Sequence, residues 1–475
     1  MKISSKYLIL LSFLFTSNIF AQIKLPSIFS DNMILQQQTY AAIWGWSGSK
    51  AKIIVITSWD GKKYYCNAND EGNWKTYINT PSAGGPYEIS VSDSKSKILI
   101  KNILIGEVWL CAGQSNMEMP MKGFIGQPVL GSNGAIVKSK NKNIRILTVP
   151  RSAKTIPQNN FNGSWKEANP ESISEFSAVA YYFGRLINEV LDIPVGLINI
   201  SYGGSCIEAW MSKNSSCQFE NIPIPDINDT IKIPNRTPTA LFNGMLSPVI
   251  GFNIKGCIWY QGESNYKYPD KYSQLLLSMV SEWRKLWNIG EFPFYFAQIA
   301  PYNYKLLSPD EINEKWNSAY LRESQLKAQK IIPNSGIVIL LDAGDEKNIH
   351  PSDKEVVGER FAYLALAKTY NIKGIGYESP VYKGIEIKDT SIIVSFDNVT
   401  NGLTSFGKNL ENFEIAGEDR IFYPAKANLR RKSVEVYSSK VRKPVAVRYA
   451  FKDFVEATLF CPCGLPVSSF RSDEW

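Results

Sequence analysis

Ser115 and His350 are the two residues of this chain whose chemistry together fits the hydrolysis of an ester. Ser115 lies in the stretch WLCAGQSNMEMPM (residues 109–121), where an apolar run gives way to a sharp turn and a helix start. A strand–turn–helix of this kind exposes the nucleophilic serine of α/β hydrolases. His350 is the one histidine among the 475 residues, so an imidazole base for Ser115 must be His350. The sequence thus offers one nucleophile and one general base.

A serine mechanism also needs a group that orients the imidazole and stabilises its charged form, usually a carboxylate. Asp345 and Asp342 are the candidates, because both lie in the stretch DAGDEKNIHPSDK (residues 342–354) that contains His350. The residues by themselves leave the choice between these two acids open.

The oxyanion of an acyl-transfer reaction needs hydrogen-bond donors. The backbone N–H of Ser115, at a helix start, is one candidate, and that of Gly204, which has no side chain to block close approach, is another. The side-chain amide of Gln261 or Asn265 is a candidate third donor. Each signal alone also fits a structural role, since a serine before a helix is often an N-cap and Gly203-Gly204 suits any loop.

Between residues 104 and 374, apolar strand-like runs alternate with segments of helical spacing. This alternation predicts an α/β domain in which helices cover both faces of a parallel sheet. Loops that follow the strands of such a sheet meet at one edge, where ligands bind. Four candidate segments follow predicted strands and should meet there: Ser115, Gly203-Gly204, residues 261–265 and residues 342–350.

The two ends of the chain have a different pattern, in which short alternating stretches are separated by turn residues. This pattern is typical of β-rich modules. We therefore predict a β-sandwich-like domain over residues 22–103, a catalytic domain over residues 104–374 and a β-rich region over residues 375–475.

The first 21 residues have the features of a signal peptide: Lys2 and Lys6, an apolar core over residues 7–15, and Ala21 at a cleavage position. The apolar core is too short to cross a bilayer, and no other segment is long and apolar enough. The sequence predicts an exported protein without a membrane span. The composition, rich in Lys, Asn and Ile, suggests a bacterial source, so we expect the protein in the periplasm or the medium.

Charge and cysteine content exclude further classes of protein. The formal net charge of +8 comes from interspersed lysines and acids, which disfavours a nucleic-acid partner and favours anionic substrates. A single histidine disfavours a catalytic zinc site. Seven cysteines leave at least one free thiol in a monomer; the pairs Cys461–Cys463 and Cys206–Cys217 are both open. The oligomeric state is not indicated.

Four blocks of the sequence, in order, resemble the sialate O-acetylesterase family of the SGNH/GDSL hydrolase superfamily. They are GEVWLCAGQSNMEMPM (residues 106–121), GLINISYGGSCIEAW (196–210), CIWYQGESN (257–265) and DAGDEKNIHPSDKEVVGERFA (342–362). The resemblance implies that Ser115 attacks an acetyl carbonyl and His350 is the base, with Gly204 and an amide of the third block serving the oxyanion. It also implies a flavodoxin-like three-layer α/β/α catalytic domain, without a metal or organic cofactor.

The chain departs from the superfamily pattern in two places. Many members have an aspartate three residues before the histidine, where this chain has Lys347. The orienting group therefore stays open between Asp345, Asp342 and a serine–histidine dyad without an acid. The third block lacks the usual glycine-x-asparagine-aspartate form, so Gln261 and Asn265 remain alternatives.

The resemblance makes an O-acetylated sialic acid the expected substrate. Arg322 is a candidate for its carboxylate and Trp259 for a sugar face, although Arg322 also suits a helix surface and Trp259 an apolar core. One rival is an acetylxylan or other glycan acetylesterase on the same scaffold. A rival from another class is a carbohydrate-binding protein that has lost its activity.

Overall fold

The structure is a computed structural model that describes residues 22–307 and 317–475. The predicted signal peptide, residues 1–21, lies outside the described residues. None of the described helices is both long and apolar enough to span a bilayer.

The amino-terminal region consists of short strands, most of them antiparallel, that lead into one long strand. The strands are β1 (Ile34–Gln36), β2 (Tyr40–Trp46), β3 (Lys52–Thr57), β4 (Lys63–Asn67), β5 (Asn73–Asn79), β6 (Gly84–Ser92) and β7 (Lys97–Gly113). β7 pairs with β6 through its first half and with central strands through its second half. This strand therefore crosses the boundary predicted at residue 103 and joins the two regions in one sheet.

The middle of the chain alternates strands with helices. Its elements are α1 (Ser115–Glu118), α2 (Ser132–Val137), β8 (Asn141–Thr148), β9 (Lys166–Ala168), α3 (Pro170–Ser174), α4 (Ala178–Leu191), β10 (Val195–Ser201), α5 (Lys213–Ser216), β11 (Gly256–Tyr260), α6 (Pro269–Trp287), β12 (Phe294–Ala297), α7 (Ala319–Ile331), β13 (Ser335–Val338) and α8 (Lys354–Lys368). The central strands run in the order β13-β12-β11-β7-β10-β8-β9, and all neighbours except β8 and β9 are parallel.

Side chains on the two faces of the central sheet belong to different cores. Along β7, Trp109 and Cys111 lie in one buried cluster with residues of α4 and α8, whereas Leu110 and Ala112 lie in another with residues of α6. This alternation follows from the period of two along a strand. Both faces are buried, so the central strands are apolar throughout, as parallel strands in covered sheets are.

The carboxyl-terminal region forms two four-stranded antiparallel sheets, β14-β15-β19-β18 and β17-β16-β20-β21. Its strands are β14 (Val381–Lys388), β15 (Ser391–Asp397), β16 (Phe413–Ala416), β17 (Phe422–Pro424), β18 (Lys426–Leu429), β19 (Ser433–Tyr437), β20 (Ala446–Tyr449) and β21 (Phe470–Arg471). Both sheets contribute to one buried cluster. The mixed α/β architecture with β-rich regions at both ends, predicted above, is confirmed.

One of the two candidate disulfides is present in the structure. Cys461 and Cys463 form a disulfide, whereas Cys206 and Cys217 are among the five free thiols. The alternative pairing of Cys206 with Cys217 is therefore wrong.

Candidate active site

A cavity of about 750 Å³ opens at the carboxyl edge of the central sheet. The residues that line this cavity include Gln114, Ser115, Gly203, Gly204, Glu263 and His350. These residues come from the loops after β7, β10, β11 and β13, because the carboxyl ends of parallel strands share one edge. The structure thus brings Ser115, Gly204 and His350 together.

The turn that carries Ser115 depends on a glycine. Gly113, the last residue of β7, has φ +149°, and a Cβ there would lie 2.1 Å from the carbonyl oxygen of Tyr260. The chain can turn sharply here because only glycine tolerates this conformation and this contact. The next N–H, that of Gln114, donates to the same Tyr260 oxygen at 2.9 Å. Ser115 then begins α1, and its hydroxyl makes no hydrogen bond within the described residues.

His350 lies across the cavity and is paired with an amide. Its Nδ1 lies 2.6 Å from Oε1 of Gln127, and the Phe124 ring packs edge-on against the imidazole at 5.4 Å. An amide oxygen accepts but cannot donate, so the pairing selects the tautomer with its proton on Nδ1 and leaves Nε2 able to accept a proton. Burial, together with the Lys354 ammonium, lowers the pKa of His350 to about 4. The imidazole is therefore neutral near neutral pH.

Neither aspartate expected beside His350 contacts it. Asp342 forms a two-point ion pair with Arg360, at 2.7 and 2.6 Å. Asp345 accepts the backbone N–H groups of Lys347 and Asn348, at 2.8 and 2.9 Å, and so caps the turn. The expectation that one of these acids orients His350 is corrected: Gln127 takes that place.

Two backbone N–H groups remain unpartnered next to the serine hydroxyl. Within the described residues, the N–H groups of Ser115 and Gly204 make no hydrogen bond. Gly204 has φ +68°. A Cβ on Gly203 would lie 3.4 Å from Cβ of Ser115, so this loop packs directly on the serine. The arrangement leaves two donors free, as stabilisation of an oxyanion requires.

Two side chains hold the glycine loop from opposite sides. Glu118, in α1, accepts the Gly203 N–H at 2.8 Å, and its carboxylate is fixed by Arg151 through two 2.6 Å bonds. On the other side, Nδ2 of Asn235 donates to the Gly203 carbonyl at 2.8 Å. These contacts fix the peptide that precedes the Gly204 N–H.

The two amides expected as third oxyanion donors do not face the cavity. Nε2 of Gln261 donates to the Ser205 carbonyl and to Oδ1 of Asn265. Nδ2 of Asn265 donates to Glu208 at 3.0 Å. Both amides are buried and engaged in hydrogen bonds that fix the loops, so this expectation is corrected.

The two expected substrate contacts are also structural. Trp259 is fully buried in β11, among Trp210, Trp283 and Phe294. Arg322 is fully buried as well. Its guanidinium donates to the carbonyls of Ala450, Lys452 and Asp453 and to the hydroxyls of Ser318 and Ser469.

Sequence reasoning missed Gln127 and Arg236. Gln127 is 223 residues from His350 in sequence, and the stretch around it shows only turn signals such as Gly123 and Gly126. Arg236 is exposed, lines the cavity and makes no ion pair within the described residues. Its position before a threonine and a proline in a loop carries no signal that could have placed it at the cavity.

Fold and site are those of a carboxylic-ester hydrolase, and comparison with known proteins gives its family. Residues 105–366 match the family described as carbohydrate esterase, sialic acid-specific acetylesterase. The chain belongs to this family, and it is a carbohydrate O-acetylesterase.

Relatives and solved structures agree with this assignment. The chain is similar to the human sialate O-acetylesterase, with 29% identity over 400 residues that cover 77% of this chain and 74% of that protein. It is 26% identical to the mouse sialate O-acetylesterase, over 77% of this chain and 76% of that protein. A carbohydrate acetylesterase from Xanthomonas citri has a similar structure, with a TM-score of 0.86, 33% identity, and coverage of 95% of this chain and 100% of that one.

Proposed function

We propose that this enzyme removes O-acetyl groups from sialic acids, with Ser115 as the nucleophile and His350 as the general base. The observation that carries the proposal is the common cavity, which holds the Ser115 hydroxyl, the neutral His350 imidazole and two unpartnered N–H groups. The relatives named above as sialate O-acetylesterases support the choice of sugar.

The reaction follows from these groups. His350 Nε2 takes the Ser115 proton as the hydroxyl attacks the acetyl carbonyl. The N–H groups of Ser115 and Gly204 stabilise the oxyanion, and the imidazolium then protonates the leaving sugar oxygen. Water, activated by the same imidazole, hydrolyses the acetyl-enzyme and releases acetate. Gln127 holds the ring in the required tautomer throughout.

Arg236 is the residue proposed to recognise the carboxylate of a sialic acid. Arg151, the other arginine that lines the cavity, already binds Glu118. Arg236 carries no such partner within the described residues, and a guanidinium binds a carboxylate with two parallel hydrogen bonds. Tyr268 lines the same cavity and is exposed, so it offers a ring on which a sugar can pack, whereas Tyr266 is buried against Tyr304.

A neutral acetylated glycan, such as acetylated xylan, is the second candidate substrate. The similar structure from Xanthomonas citri is described only as a carbohydrate acetylesterase, and the hydrolytic groups would act on any acetyl ester. A binding protein without activity is disfavoured, because the nucleophile, the base and the free donors are all present.

The test is acetate release from O-acetylated sialic acid and, in parallel, from acetylated xylan. Ser115→Ala and His350→Ala should lower turnover by about 10³-fold or more. Arg236→Gln should raise KM for the sialic acid by about tenfold, the value of a charge-assisted hydrogen bond, without an effect on xylan. Arg431→Gln, an exposed arginine of the carboxyl-terminal region, is the matched control. Release from xylan alone would overturn the sialate assignment, and activity without His350 would overturn the mechanism.

We further propose a flavodoxin-like three-layer catalytic domain over residues 104–374, between β-rich domains over residues 22–103 and 375–475. The sub-order β10-β7-β11-β12-β13, which is 2-1-3-4-5 in chain order, and the two buried faces support it. Limited proteolysis tests the boundary at residue 374: a cut there is expected, and cuts within the neighbouring segments would contradict it. The boundary at residue 103 lies inside β7, so the first two domains share a strand and no cut is expected between them.

We also propose export of the protein from a bacterial cell, after cleavage at Ala21. The sequence of residues 1–21 supports export. The disulfide between Cys461 and Cys463 supports it too, since disulfides persist in oxidising compartments. Amino-terminal sequencing of the protein from periplasm and medium is the check; an intact Met1 would contradict cleavage.

A further inference from the structure

A buried amide next to the nucleophile joins the loops that carry Ser115 and His350. Asn116, which follows Ser115, is 1% exposed. Its Nδ2 donates to the carbonyl of Ile349, the residue before His350, at 3.1 Å. The side chain of Asn116 thus connects the residue after Ser115 with the residue before His350.

The same amide lies between two buried charged side chains. Nδ2 of Asn116 also donates to Oε1 of Glu263, at 2.5 Å, and Oδ1 accepts from the Lys354 ammonium at 2.6 Å. Lys354 is fully buried and Glu263 is 4% exposed. Burying such charges is unfavourable, and apolar side chains in the same space would avoid this cost. The cost points to a role other than stability.

We propose that Asn116, Lys354 and Glu263 are positioning residues of the esterase: a buried hydrogen-bonded chain that holds the His350 loop in register with Ser115 and keeps a cation near the imidazole. The inference rests on the proposed roles of Ser115 and His350. When Glu263 is ionised and Lys354 is protonated, the direction of the chain is fixed, because a carboxylate can only accept and an ammonium can only donate. Asn116 then has one orientation.

The cation of this chain also acts on the base. Burial lowers the pKa of Lys354 itself to about 7, so its ammonium carries its full charge below neutral pH. In that range the Lys354 charge adds to burial in lowering the pKa of His350, and so favours the neutral imidazole that can accept a proton. The charged groups that face Lys354 are Glu263, from the turn after β11, and Asp353, which caps α8.

Other charged groups border the cavity at its rim. They are the Glu118–Arg151 pair, Arg236 and Lys267. None of them bonds to Asn116 or Lys354 in the structure. A variant that removes only the charges of Lys354 and Glu263 therefore isolates the effect of the buried chain.

The experiment uses hydrolysis of 4-methylumbelliferyl acetate, which needs no sugar recognition. Asn116→Ala should lower kcat by about 10²-fold with little change in KM, as expected for a misplaced catalytic group. Asn188→Ala is the matched control, since Asn188 is also a buried amide that both donates and accepts, in α4 far from the cavity. It should lose stability but keep kcat.

The double variant Glu263→Gln/Lys354→Met separates positioning from folding. It removes both charges together, so neither is left unpaired. The buried Oδ1 of Asn116 loses its donor, so we expect a moderately lower midpoint of thermal unfolding and a variant that is still folded in the assay. Its acid limb of kcat/KM should move to higher pH, because the imidazole no longer faces a cation. A merely structural role would leave that limb unchanged.

Wild-type kcat in Asn116→Ala, or a wild-type pH profile in the folded double variant, would overturn the inference. Hydrolysis of acetyl esters by the Ser115→Ala variant at the wild-type rate would instead overturn the proposed function, and it is measured separately.

Discussion

The imidazole of His350 combines two features that set how this site responds to pH. It is buried beside the Lys354 ammonium, and its partner at Nδ1 is the uncharged amide of Gln127. Burial and the Lys354 charge disfavour the imidazolium, and the amide, unlike a carboxylate, adds no negative charge that would favour it. The lowered pKa, about 4, leaves His350 ready to accept a proton well below neutral pH.

Replacement of Gln127 tests this arrangement. The wild-type acid limb of kcat/KM should lie near pH 4, the lowered pKa of His350, rather than at the value of a free imidazole. Gln127→Glu should move this limb to higher pH, because a carboxylate stabilises the imidazolium. Gln127→Leu, which leaves Nδ1 without an acceptor, should lower kcat by about tenfold to 10⁴-fold. The measurement is the pH dependence of acetyl ester hydrolysis.

Gln218→Leu, an exposed glutamine outside the cavity, is the control and should keep the wild-type profile. Unchanged kcat in Gln127→Leu, together with an unmoved acid limb in Gln127→Glu, would show that His350 works without this partner.

At the scale of elements, several side chains of α7 link the catalytic region to the carboxyl-terminal one, and Arg322 is the fully buried one among them. Arg322 reaches from α7 to three carbonyls of residues 450–453. Burial lowers the pKa of Arg322 to about 10, so the guanidinium stays charged at neutral pH. A planar fork with five N–H donors can satisfy several carbonyls at once, which a lysine cannot.

Arg322→Met should destabilise the protein without an effect on catalysis. It leaves buried carbonyls without donors, so we expect a loss on the order of 3 kcal/mol, seen as a lower midpoint of urea unfolding. Arg322→Lys should recover only part of this loss. Lys330→Met, on the exposed side of α7, is the matched control. A raised KM for the sialic acid, with unchanged stability, would instead show that Arg322 binds the substrate.

At the scale of the whole molecule, the net charge bears on substrate capture. The formal charge is +8, and Arg236 presents its charge at the cavity without an ion-pair partner among the described residues. A positive field raises the rate of encounter with anions and is screened by salt.

Salt should therefore slow the enzyme on an anionic substrate only. Between about 10 and 200 mM salt, kcat/KM for O-acetylated sialic acid should fall severalfold, whereas that for 4-methylumbelliferyl acetate should stay nearly constant. Arg236→Gln should weaken the dependence. Equal salt sensitivity for the charged and the neutral ester would contradict steering by charge.

The sequence by itself determined most helices and strands, and it determined that the loops with the candidate site residues lie at one edge of the sheet. The helices α4, α6, α7 and α8 and the β-rich ends follow from local periodicity, and local periodicity is a property of a short stretch. The strand β7, in contrast, crosses the boundary that the sequence predicted at residue 103. The loops with Ser115, Gly204 and His350 could be placed together because the carboxyl ends of parallel strands share an edge.

Only the tertiary structure decided which groups touch within that edge. Gln127 rather than Asp342 or Asp345 contacts His350, although the two acids are much nearer in sequence. Likewise, Gln261 and Asn265 follow β11 as predicted but turn inward to bind each other. A hydrogen bond depends on side-chain direction to within about an ångström, and that direction is set by packing between segments far apart in the chain.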